Sequence, residues 1–179
     1  MNAIRLVGAV AVVGMAAVFG SPAAMAQPEA SSHALTGTWK VSDTPAALRK
    51  ELDTAIDRTA SEFNLLIREI ARVKLQGATK VCQSYLLDVQ PSQVAFACDG
   101  KAPVSLARDG SPFHTKNDDG EDIQGTVSVK GDTVVVTWQG PSGKRVNTFS
   151  PTSAGLDLRA EVSSPHMPTP LRWTVHYAR

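Results

Sequence analysis

The residues that could carry chemistry are few, and their spacing does not organise them. The four histidines, His33, His114, His166 and His176, lack the short intervals by which a helix or loop aims several ligands at one metal. His176 also falls on the polar phase of an alternating segment, so all four read as exposed side chains. The run Asn117 to Asp122 gathers four carboxylates that could weakly hold calcium. It lacks the alternating ligand positions of an EF-hand loop and reads as a solvated turn. Gly140 to Lys144, GPSGK, has the glycines and lysine of a phosphate loop, but the spacing fails and it joins two strands where such a loop must enter a helix. It reads as a hairpin turn. No Gly-x-Ser-x-Gly is present. No catalytic residue, metal ligand or cofactor is therefore assigned, and an enzyme is not expected.

Two cysteines, Cys82 and Cys98, are too few for a disulfide-built mini-protein or a four-cysteine zinc site. In an oxidising compartment they are expected to form one disulfide, with two buried thiols as the competing reading. In the strand phases set out below, Cys98 lies with Val94 and Phe96, whereas Cys82 lies with Ser84 and Asp88. A bridge then needs a bulge or a cysteine at a strand end. Trp39, Tyr85, Phe96, Trp138 and Trp173 fall on the apolar phases of their segments, as core or as ligand walls.

The compartment is written at the N-terminus. Residues 1–26 carry a lone Arg5, an apolar run from Leu6 to Phe19, then Gly20, Pro22 and Ala24-Met25-Ala26. This is the order of a cleaved signal, with the cut expected after Ala26 and the product periplasmic or secreted. The run is shorter than the roughly 20 apolar residues of a membrane span, so none is expected after processing. Of 179 residues, 42% are hydrophobic, 6% aromatic and 20% charged. Losing Arg5 would take the formal charge from +1 to zero. Such a balance argues against a nucleic-acid binder.

After a polar leader at 27–34, residues 35–42 read as a first strand. The pattern then turns helical over 45–76: Asp43 or Thr44 can cap, Pro45 suits the first turn, and Gly77 can stop the helix. Leu48, Leu52, Ile56, Phe63, Leu66 and Ile70 recur at helical spacing, as one long helix or as two broken near Thr59 to Ser61. Leu65, Ile67, Ala71 and Leu75 widen the apolar arc beyond one partner surface. Past Gly77 the period is two, interrupted by turn signals. Strands are expected at 79–89, 93–98, 102–107, 123–130 and 143–149. Three more alternate cleanly, with Val134, Val136 and Trp138, then Leu156, Leu158, Ala160 and Val162, then Leu171, Trp173, Val175 and Tyr177 on their apolar faces. One wet face and one dry face per strand predict an antiparallel, mainly β (α+β) domain over 35–179. It closes as an up-and-down barrel or a strongly curled sheet of 8–9 strands, with the helix inserted after strand 1.

The first strand opens Gly37-Thr38-Trp39-Lys40, and the chain ends Tyr177-Ala178-Arg179. This resembles the lipocalin and avidin group of calycin barrels, and more loosely small secreted bacterial lipocalin-like proteins. The resemblance implies that Trp39 packs across the closed barrel end against a basic side chain of the last strand, Arg172 or Arg179. Two functions follow as expectations. One is an exported, non-enzymatic barrel carrying a small apolar molecule against Trp39, Tyr85, Phe96, Trp138 and Trp173. The other is a periplasmic interaction module, an inhibitor or assembly partner of an envelope protein or a homodimer, docking through Phe63, Leu65, Ile67 and Ile70.

Overall fold

The structure, a computed structural model, describes residues 32–117 and 119–179. The signal segment and most of the leader lie outside the described residues. Ser32–Leu35, the end of the leader and the first residue of the expected strand 35–42, form a 3-10 turn, and that strand begins at Gly37. Ten strands follow in one antiparallel sheet: β1 Gly37–Val41, β2 Ser84–Val89, β3 Gln93–Cys98, β4 Val104–Ala107, β5 Phe113–Lys116, β6 Asp122–Lys130, β7 Thr133–Gly140, β8 Gly143–Pro151, β9 Leu156–Ser163 and β10 Leu171–Ala178. The sheet runs β4-β3-β2-β1-β10-β9-β8-β7-β6-β5, so the first and last strands are neighbours and the barrel is closed except between β4 and β5.

The count exceeds the expected 8–9 because of β5. Its four residues, FHTK, are mostly exposed and show no apolar alternation, so period-two reading passes over it. The helical insertion is also two elements, α1 Pro45–Ser61 and α2 Arg68–Ala78. The break begins directly after Ser61, as the two-helix alternative expects, and spans residues 62–67, where Asn64 Oδ1 accepts the amides of Leu66 and Ile67. An asparagine that offers its own acceptor to nearby amides competes with helix continuation. At the start of α1, Thr44 caps by accepting the Ala47 amide, with Pro45 in the first turn. The other candidate cap, Asp43, is used elsewhere.

That use explains why α1 lies where it does. The β1–β10 pairing has only two register pairs, Lys40↔Ala178 and Val41↔Tyr177, which leaves most of the facing edge of β10 without a strand. Helix α1 packs on β10, and acidic side chains from it and from the turn before it replace the missing ladder. Asp43 Oδ2 accepts the His176 amide at 2.8 Å and Glu51 Oε1 accepts the Thr174 amide at 3.3 Å. Buried Ala55, Ile56, Thr59 and Ala60 line its inner side.

Inside the barrel the register stacks side chains in rungs. The lower rung runs Val129, Val134, Phe149, Leu158 and Val175 across β6 to β10. Above it come Val127, Val136, Asn147, Ala160 and Trp173, and above those Gly125, Trp138, Arg145, Val162 and Leu171. Tyr85 stands edge-on to both Phe149 and Tyr177, filling the middle of the core. At the closed end Trp39 is 4% exposed. Its indole N–H donates to the Leu35 carbonyl at 2.9 Å, and the Arg179 guanidinium lies 4.7 Å from its ring centre. Of the two expected basic partners Arg179 makes this contact, while Arg172 pairs with Glu161 at 2.7 Å. Gly37 has φ of +145°, a conformation L side chains rarely adopt, which accounts for the glycine in Gly-Thr-Trp.

The disulfide forms between Cys82 and Cys98, with Cα atoms 5.5 Å apart. The phase mismatch is resolved because Cys82 precedes β2, outside its alternation, and Cys98 is the last residue of β3. The short loop it closes is worth about 3 kcal/mol in the chain-entropy model. Among the described residues, no helix is long and apolar enough to cross a membrane.

Two outcomes test these packings. Trp39→Ala should cost about 3–5 kcal/mol, read from the urea midpoint, because it removes a buried indole and its hydrogen bond. A loss under about 1 kcal/mol would show that the closed end does not depend on Trp39. On the outer face, His176 Nδ1 meets Asp157 Oδ1 at 2.7 Å, a hydrogen bond that raises the histidine above its ordinary pKa. A raised folded-state value means the pair's stabilisation is complete below about pH 6.5 and is lost as pH climbs through that value. The stability gap between the wild type and Asp157→Asn should therefore be widest below about pH 6.5 and narrow as the pH is raised above it. A gap that does not vary with pH would rule the pairing out.

Candidate functional site

The turns at one end of the barrel surround a cavity of about 730 Å³. Its walls come from the C-terminal end of α2 and the segment after it, from β2 and β3, from the β5–β6 and β7–β8 turns, and from the start of the β9–β10 loop. Phe96, Val104, Ile123, Trp138 and Val162 supply the apolar surface, and Phe96 and Trp138 meet edge to face at 6.1 Å across it. Trp138 can lie flat there because its cross-strand neighbour is Gly125. A Cβ at Gly125 would stand 2.5 Å from the indole, far inside contact distance. The volume falls within the range that holds a small organic ligand.

Two polar side chains reach this cavity from the inner face of β8, Arg145 and Asn147. Arg145 is part-buried, and no acidic side chain pairs with it among the described residues. It is held instead by neutral groups. Nε donates to Asn147 Oδ1 at 3.1 Å, Nη2 donates to the Lys80 carbonyl at 3.2 Å, and the guanidinium lies 5.4 Å from the Trp173 ring centre. Burial lowers its pKa, with the Tyr85 and Tyr177 hydroxyl groups acting the other way. Arginine nevertheless stays charged. Tyr85 also lines the cavity, and burial raises its pKa, so its hydroxyl keeps its proton. Burial raises Tyr177 further, and its hydroxyl donates to the Cys82 carbonyl at 2.8 Å. The arrangement offers a fixed positive charge, a phenolic donor and an apolar wall.

The structure brings three of the five candidate aromatic residues, Tyr85, Phe96 and Trp138, to the cavity. Trp39 lies at the closed end, and Trp173 is buried beneath Arg145, its indole N–H without a hydrogen-bond partner among the described residues. Of the candidate interface residues, Leu65, Ile67 and Ile70 are exposed and Phe63 is half-buried. Arg145 and Asn147 did not emerge from the sequence pattern. Phe149, two residues further along the same face, is the one apolar marker of their phase, and Val146 on the opposite face cancels it.

The expected solvated turn at Asn117 to Asp122 is organised by Asn117, whose Oδ1 accepts the amides of Asp119 and Glu121. Its Glu121 carboxylate is taken by Asn117 and Ser142, and Asp122 by Lys116. The one metal-like grouping among the described residues, Cys82, Cys98 and Asp99, contains the disulfide and so lacks free thiolates.

No family model matches the chain, and no curated protein matches it in sequence. Solved structures do match its fold. A secretory abundant heat soluble protein from Ramazzottius varieornatus superposes with a TM-score of 0.51 at 10% identity, covering 82% of this chain and 95% of that one. A protein described as the REP1-NXSQ fatty acid transporter gives 0.50 at 14% identity, covering 81% and 95%. The shared fold is an antiparallel β-barrel. At such identities the likeness is one of architecture, and the ligand must be argued from the cavity.

Proposed function

We propose that the protein is an exported, non-enzymatic carrier of a small amphiphile, with the apolar body against Phe96 and Trp138 and an anionic head on Arg145. The observation that carries this is the uncompensated guanidinium. Withdrawing a cation from water without a counter-charge costs several kcal/mol, and a protein that only needed a filled barrel would place an apolar side chain there. A carboxylate or sulfonate entering the cavity would supply the missing charge and add charge-assisted hydrogen bonds. The fold likeness to a protein named as a fatty acid transporter supports the same reading. Export rests on the N-terminal segment, which has the order of a cleaved signal.

A second reading, a protein-interaction module, is favoured by one observation. Leu65 is 78% exposed, Leu66 91% and Ile70 60%, so the α1–α2 turn and the outer face of α2 present adjacent apolar side chains to solvent.

The two readings differ in what the protein carries. The native mass of protein recovered from the periplasm should show a chain beginning at Gln27 and a small-molecule adduct. A homodimer or a complex with another protein, free of any adduct, would favour the second reading. A head-group series then tests the site itself, by displacement of an anilinonaphthalene sulfonate probe. Dodecanoate should bind about tenfold or more tightly than dodecanol, about 1.4 kcal/mol, and Arg145→Met should erase that preference. Equal binding of acid, alcohol and a dodecyl ammonium ion would overturn the anionic-head assignment.

A further inference from the structure

The charged site is only partly built from the barrel. Arg145 and Asn147 stand on β8 and Tyr85 on β2, but the carbonyl that holds Arg145 Nη2 belongs to Lys80, in the segment 79–83 between α2 and β2. This segment and the end of α2 form one edge of the cavity through Gly77, Ala78, Lys80 and Cys82. Helix α2 is weakly anchored. Leu75 is its one buried residue, and its ion pair to the core helix, Arg72 with Asp57, is exposed on both sides. Thr79 is buried and Ala78 and Val81 pack on the core, and beyond Lys80 three further links fix the segment to the barrel. Cys82 is bonded to Cys98, the Cys82 carbonyl accepts the Tyr177 hydroxyl, and the Gln83 carbonyl accepts the Val41 amide at 3.0 Å. Both cysteines border the cavity and both are part-exposed, so a thiol in solution can reach the bond.

We infer that the Cys82–Cys98 disulfide is a latch on the anion site: closed, it seats the Lys80 carbonyl against Arg145, and opened by a dithiol it lets that carbonyl draw back from Arg145 and release the anion, while the Cys82 and Gln83 carbonyls keep their hydrogen bonds to the barrel. This rests on the carrier reading of the cavity. The chemistry is ordinary exchange. A thiolate of the dithiol attacks one protein sulfur, forming a mixed disulfide and expelling the other cysteine as a thiolate that takes a proton. The reagent's second thiol then displaces the remaining cysteine and closes an internal disulfide. The protein gains two electrons and two protons as two thiols, and the dithiol is oxidised by the same amount. Loss of the tether leaves Arg145 with one fixed neutral acceptor, Asn147, in place of two. The guanidinium is then free to turn toward water. An apolar ligand without a charge depends on Phe96 and Trp138, which the Lys80 carbonyl does not hold, so the effect falls on the head group.

The test uses the full chain with anilinonaphthalene sulfonate, dodecanoate and dodecanol as probes, in the oxidised form, after dithiothreitol with alkylation, and after reoxidation. Binding of both anions should weaken about tenfold or more on reduction and return on reoxidation, while dodecanol changes less than about twofold. Cys82→Ala with Cys98→Ala should behave as the reduced form does. Amide hydrogen exchange read alongside should quicken at 68–83 and stay unchanged in β6 to β10. Unchanged anion binding on reduction overturns the latch, and so does equal weakening of all three probes with faster exchange throughout the barrel, which would make the disulfide a general staple. If the oxidised protein binds no anion, the carrier reading fails. Exchange at 68–83 then still decides whether the latch moves.

Discussion

The closure of this barrel depends on a strand too short for its task. β1 must join β2 to β10, yet its five residues give only two register pairs with β10. A sheet edge left open there would expose backbone amides and carbonyls of a strand whose other face is core. The helix inserted directly after β1 removes that defect. Asp43 and Glu51 offer carboxylate oxygens to the amides of His176 and Thr174, and the Ser42 amide donates to the His176 carbonyl at 2.9 Å. The helix therefore completes the wall with side chains where backbone is missing. Trp39 and Arg179 do the same at the end of the seam, tying the first strand to the last residue. The barrel's closed end and its helical insertion thus answer one constraint.

That constraint also separates the two ends of the molecule. Packing around Trp39, Tyr85, Phe149 and Tyr177 fills the interior from the closed end to its middle. The rungs nearer the turns cannot be filled in the same way, because Gly125 contributes no side chain, Asn147 and Arg145 are polar, and β4 and β5 do not pair. The cavity is what remains. Arg145 and Asn147 face it from β8, Lys101, Lys116, Asn117 and Asp119 rim it from other elements, and Phe96 and Trp138 form its aromatic wall.

Much of this was readable from residue order, and the failures share a cause. Alternation identifies strands when one face is dry, and β7, β9 and β10 have faces of Val, Leu and Trp with few exceptions. It is blind to β5, where both faces are wet, and it misleads in β8, where the inward face carries the charge. Helical period located α1 and α2 and offered a break near Thr59 to Ser61, but it could not choose between one helix and two, because Asn64 acts through a local hydrogen bond that periodicity does not register. Phase also says inward without saying how deep. Trp138 and Trp173 share inward phase on their strands, yet one walls the cavity and the other lies under Arg145. The difference comes from register across five strands, which no single strand encodes.

The buried charge finally bears on how the site coexists with a stable fold. A guanidinium with one neutral side-chain acceptor, one backbone acceptor and an aromatic face is better off than an isolated ion, and worse off than one in water or beside a carboxylate. The deficit is tolerable because the barrel below it is densely packed and cross-linked, and because the arginine stem contributes apolar contact along Trp173. Tyr85 sits at the boundary between these regions, its ring in the core and its protonated hydroxyl coupled to the charge above. Exchanging Arg145 for a hydrophobic residue would then strengthen the apo fold while removing the one feature that distinguishes this cavity from a packing defect. On the carrier reading, stability and recognition pull in opposite directions at that position, as expected where a site is preorganised for a ligand that brings the compensating charge.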